Sequence, residues 1–87
     1  MNPNLLPEAE SDESASSLIE RLTNEILFFQ KDLASKKLEI SDLQAREDVA
    51  KGIFFPQEIH ALKQECLRLA TEVELRQKRI RRIQIEN

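Results

Sequence analysis

From Ile19 to Ile83 apolar residues recur at intervals that alternate between three and four, and that rhythm loses phase once. A repeat averaging about 3.5 residues is helical, with a wide polar side and a narrow apolar stripe, so such a chain must bury helix against helix along the stripe. In the first segment Ile19, Ile26, Leu33 and Ile40 take heptad position a, and Leu22, Phe29, Lys36 and Leu43 take position d. In the second, Ile59, Cys66, Val73 and Ile80 take a, and Leu62, Leu69, Arg76 and Ile83 take d. Continuing the first series places Glu47 at a, and the heptad then slips by five before Ile59.

The slip falls in "KGIFFPQEIH", Lys51 to His60, which holds the only glycine of the chain. Gly52 suits the left-handed position that closes a helix, and Pro56 suits the first turn of the next, where a missing N–H costs nothing. Phe55, preceding a proline, is steered to extended backbone. At the other end, "SSLIE" offers a capping box in which the Ser17 hydroxyl serves Glu20 N–H and the Glu20 carboxylate serves Ser17 N–H. The expected organisation is an acidic, Ser-rich tail over 1–16 and a helical unit over 17–87. Within that unit, helix 1 spans about 17–51, a turn 52–55 and helix 2 about 56–86. The fold class is all-α: an antiparallel coiled-coil hairpin that packs further into a dimer or four-helix assembly.

A four-residue turn sets a register in which facing residue numbers add to 109. Ala50 then meets Ile59, Leu69 meets Ile40, Val73 meets Lys36, Arg76 meets Leu33 and Ile83 meets Ile26. Lys36 and Arg76 fall in one layer, with Asp32 placed to pair with Arg76 and Glu72 with Lys36. A parallel homodimer would instead bury like charges at both positions, so these four residues are expected to fix the hairpin register.

One seam leaves apolar residues over. Leu27, Ala34, Leu38 and Ala45 make a second stripe on helix 1 with Phe28 beside it, while Leu67, Leu75 and Ile85 stand off the seam of helix 2. Leu27, Phe28, Leu38, Leu67 and Leu75 are therefore the expected assembly or partner surface, contacting either a second copy or another helical protein.

Composition confines the remaining choices. A third of the chain is charged and Trp and Tyr are absent, as in exposed long helices. The net charge of −3 hides a −6 first half, residues 1–50, and a +3 second half. The tail carries "EAESDESASS" with little to bury, and is expected to be disordered. Neither a membrane-length apolar run nor a signal-peptide pattern is present, which with the single cysteine places the protein inside the cell, in the cytoplasm. His60 is a solvated histidine and Cys66 a small hydrophobe in the seam. With no phosphate loop, nucleophile elbow or zinc spacing, the expectation is a non-enzymatic chain with no cofactor, metal or small-molecule substrate.

The basic run "RQKRIRR", Arg76 to Arg82, carries the rival function. Arg76 and Arg79 are expected to engage helix 1, leaving Lys78, Arg81 and Arg82 as a possible anion patch for nucleic acid or anionic lipid. No aromatic residue is interleaved for base stacking, and the seam continues through Ile80 and Ile83. The leading expectation is a protein–protein interaction segment, scaffold or adaptor in role. Effector-type helical hairpins share this layout as an architecture.

Overall fold

The computed structural model describes residues 13–86 and contains two helices, α1 (Ala15–Arg46) and α2 (Pro56–Glu86). At 1.5 Å per residue each is about 48 Å long, and the two pack antiparallel as a hairpin. Among the described residues no helix is long and apolar enough to cross a membrane. The expected tail lies outside the described residues up to position 12.

Helix α1 begins three residues earlier than the capping box implies. Ser14 is the N-cap, its Oγ accepting the Ser17 N–H at 3.1 Å. Ser17 is thus the third residue inside the helix rather than its cap. The shift has a simple cause: Ser14 offers the same hydroxyl one turn upstream, and Ala15 and Ser16 do not oppose helix in between.

The C-terminal end departs more. α1 stops at Arg46, not near residue 51, and the connection runs from Glu47 to Phe55. Glu47 adopts an extended backbone, and Asp48 and Ile53 exchange both backbone hydrogen bonds at 2.9 Å, forming a miniature antiparallel bridge. Inside it the Gly52 N–H donates to the Val49 carbonyl at 3.1 Å, and the Lys51 N–H donates to Asp48 Oδ1 at 3.2 Å. Gly52 takes φ +69°, so glycine is required here for the last residue of a four-residue β-turn loop rather than for a helix end. Glu47 Oε2 accepts the Phe55 N–H at 3.1 Å, and the Phe55 carbonyl accepts the first α2 bond, from Ile59 N–H at 3.0 Å. Asp48 competes for backbone donors that a continuing helix would use, and the β-branched Ile53 fits the bridge.

The longer connection changes the register. Arg76 Nε donates to Glu25 Oε1 at 2.8 Å and its guanidinium lies 4.5 Å from the Phe29 ring centroid. At the closed end, Arg46 lies over the Phe55 ring at 5.1 Å. Facing numbers therefore add to about 102, one heptad below the expected 109. Leu33 and Ile40 line one groove together with Lys63, Cys66 and Ala70, and Leu43 lines a cleft together with Leu62. The expected pairs, including Arg76 with Leu33 and Val73 with Lys36, do not form. The premise that failed was loop length: α1 yields five residues that the four-residue turn had assigned to helix.

The dry stripe is thin. Leu22, Ile26, Ile59, Leu69 and Val73 are buried, with Leu22 and Leu69 the most completely enclosed. Leu33, Ile40, Leu43, Leu62, Cys66 and Ile80 on the same seam are only half-buried.

Candidate interaction surfaces

The polar side chains within the seam form two separate clusters. Lys36 Nζ bonds Asp32 Oδ1 at 3.2 Å along its own helix, with Glu39 and Glu65 as further carboxylates raising its pKa. Arg76 bonds Glu72 Oε1 at 2.6 Å on its own helix and reaches Glu25 across the seam. The single layer of Asp32, Lys36, Glu72 and Arg76 is therefore not formed. The one-heptad shift supplies the reason: Glu25 stands seven residues before Asp32, and Glu65 seven before Glu72, so each cation meets the acid one repeat away from the expected one.

Arg76 joins the helices through charge and ring together. Its pKa is raised by the two carboxylates, and the Glu25 carboxyl is held below its usual range, first by the hydrogen bond from Arg76. A depressed carboxyl pKa stabilises the fold above the unfolded-state value, and that contribution is lost as pH falls through the folded-state value. Arg76→Met, which keeps the aliphatic stem, is thus expected to lower stability near neutral pH and to lose its difference from the parent as the solution is acidified below the ordinary glutamate range. Urea unfolding at a series of pH values measures this; a gap that stays constant through acid would show that the ion pair contributes nothing.

The five residues expected to form one surface are divided between two flanks. Leu27 and Leu67 share heptad position b, which an antiparallel pair places on one side; Phe28 and Leu75 share position c, on the other. On the first flank, Leu33, Lys37, Ile40, Lys63, Cys66, Leu67 and Ala70 line a groove whose floor is apolar and whose two cations come from opposite helices. Cys66 is a free, half-buried thiol there. On the second flank Leu38 borders a cleft with Ser35, Glu39, Asp42, Leu43, Glu58 and Leu62. Phe28 packs edge-on to Phe29 at 5.6 Å beside Arg21 and Arg76. All five candidates are more than half exposed.

A third apolar surface was missed. Val49, Ile53 and Phe54 stand exposed on the loop, at 82%, 40% and 52%. The signal lies in "DVAKGIFFP": a β-turn over Val49 to Gly52, closed by Asp48 and Ile53, turns these apolar side chains away from the helix pair.

In the basic run, Lys78, Arg81 and Arg82 are exposed, and Arg79 borders a cleft with Arg21, Leu22, Glu25, Leu75 and Arg76. His60 is exposed, and among the described residues no cluster of three His, Cys, Asp or Glu side chains is arranged to hold a metal ion. Comparison with protein-family models, curated proteins and solved structures gives no match.

Proposed function

We propose that this hairpin is a non-enzymatic coiled-coil interaction module, a scaffold or adaptor segment that associates through its apolar flanks with a second copy of itself or with another helical protein. One observation carries the proposal. Among the described residues five apolar side chains are buried, whereas nine large ones remain 40% or more exposed. Each aliphatic or aromatic side chain that becomes buried contributes about 1.5–3 kcal/mol, so an assembly that covers several of those nine is stabilised by doing so. The groove at Leu67 suits such a partner, because an amphipathic helix could set its apolar stripe on the floor and its acidic edges against Lys37 and Lys63.

Sedimentation equilibrium of the isolated 10.1 kDa chain tests self-association. The expected result is a mass that rises with concentration toward a dimer or higher assembly. A monomeric mass across the whole range, in a chain that still melts cooperatively, would reject a second copy as the cover.

The exposed cations Lys78, Arg81 and Arg82 support a second function, binding of nucleic acid or anionic lipid at residues 76–82. Steep salt dependence of binding to a polyanion marks that function; salt-insensitive association marks the first.

A further inference from the structure

The two flanks of the hairpin carry opposite charge at the same level of the rod. Lys37 and Lys63 hold heptad position e, and Glu39 and Glu58 hold position g, which an antiparallel pair places on opposite sides of its plane. The difference is systematic: within the two helices position e holds two lysines and no acid, whereas position g holds seven acids and two arginines. Most of those acids are engaged inside the chain, Glu25 and Glu72 by Arg76, Asp32 by Lys36 and Glu65 by Arg68. Glu39 and Glu58 are not, and neither are the two lysines. All four are exposed, and none of them makes an ion pair among the described residues.

Each of these pairs borders an apolar hollow. The lysines flank the groove floored by Leu33, Ile40 and Leu67, and the acids, joined by Asp42, flank the cleft of Leu38, Leu43 and Leu62. Leu67 and Leu38, 62% and 72% exposed, are the apolar side chains that stand furthest out of the two.

We infer that the basic groove of one copy receives the acidic cleft of a second copy of this chain. The inference deepens the interaction-module reading and rests on it. Charge complementarity selects the occupant: groove against groove would bring four lysines together and cleft against cleft six acids, so each flank is repelled by its like and matched by the other. Both lysines can be matched at once. Asp42 lies five residues from Lys37 on α1 and Glu58 five residues from Lys63 on α2, and because the helices run antiparallel both acids lie toward the closed end. In a neighbour stacked in the same orientation, one axial shift of about 7.5 Å therefore sets both lysines against acids. Asp42 is free to turn to them, since its contact with Arg46 is long, 3.5 Å, and joins two exposed side chains. The apolar floors supply the contact and the charges choose which flank meets which. Since the two surfaces differ and lie on opposite sides, every copy that binds leaves a groove or a cleft open for the next. The contact is heterologous, and the assembly grows as a stack instead of closing as a dimer.

Sedimentation of the full chain over a concentration series tests this with two charge-reversed variants, Lys37→Glu with Lys63→Glu in the groove and Glu39→Lys with Glu58→Lys in the cleft. The mass of the parent is expected to rise past twice the 10.1 kDa of one chain. Each variant alone presents like charge on both flanks and is expected to stay monomeric, with its helix content by circular dichroism unchanged. An equimolar mixture of the two is expected to regain the association of the parent, because each groove then finds a cleft of opposite charge. The milder Glu39→Gln with Glu58→Gln, which removes charge without reversing it, is expected to weaken association severalfold. A parent that levels off at a dimer, a cleft variant of either kind that associates like the parent, or a mixture of folded variants that stays monomeric overturns the inference while the interaction-module reading stands. Association that survives Leu27→Glu with Leu67→Glu unchanged removes both.

Discussion

Replacing Leu69 with alanine is expected to abolish most of the stability of the hairpin. Leu69 is 1% exposed at the middle of α2, in a seam where, among the described residues, four other apolar side chains are buried. Truncating a buried leucine to alanine costs about 2–5 kcal/mol, the larger values arising where the cavity cannot collapse. A two-helix seam allows some collapse, yet it has little to lose, because ordinary domains hold only about 5–15 kcal/mol in total. Since 1 kcal/mol moves the midpoint by about 4–8 °C in a chain of this size, a fall of at least about 10 °C, or loss of a cooperative transition, is expected by circular dichroism. Leu67→Ala, two residues away on the exposed flank, is the control and should leave the melt of dilute protein nearly unchanged. If the two variants melt alike, the seam described here does not hold the helices together.

The second large effect concerns assembly. Leu27→Glu combined with Leu67→Glu places two carboxylates on the flank that carries the apolar groove. In the free hairpin both remain solvated, with Lys31 one turn after position 27 and Lys63 one turn before position 67, so helix content is expected to persist. In an assembly that covers the groove, each unpaired carboxylate costs several kcal/mol, enough to dissociate a complex of ordinary affinity. Sedimentation of the double variant should therefore give a monomer under conditions in which the parent associates. Lys78→Glu with Arg81→Glu should leave association intact. The reverse pattern, with the leucine variant assembling and the charge variant failing, would move the function to the basic run.

The outcome at each level depended on how far a residue's partner lay along the chain. Helix existence was readable because it rests on spacing within one segment, and the two-helix hairpin followed from the phase slip and Pro56. The register was not readable from the seam. Position g holds Glu25, Asp32 and Glu39 on one helix and Glu58, Glu65 and Glu72 on the other, so Lys36 and Arg76 find carboxylates in either of two registers one heptad apart. Only the connection discriminates between them, and reading Gly52 as a helix end makes that connection four residues long. Asp48, whose side chain binds the Lys51 N–H, and the β-branched Ile53, its partner in the bridge, carry the contrary information. Among the surface residues, exposure followed from their being off the seam, but their division between two flanks required heptad positions b and c to be followed across both helices.

The bridge between Asp48 and Ile53 also bears on the order of events during folding. It closes a loop within six residues, whereas the Glu25–Arg76 contact joins positions 51 apart. Closing so short a loop takes well under a microsecond, and longer closures are progressively slower. A chain that forms this turn first has its helices brought together in one alignment, and pairing then spreads like a zipper from the closed end toward Glu13 and Arg82. The turn thereby selects one of the two alignments, a heptad apart, before the helices pair along their length.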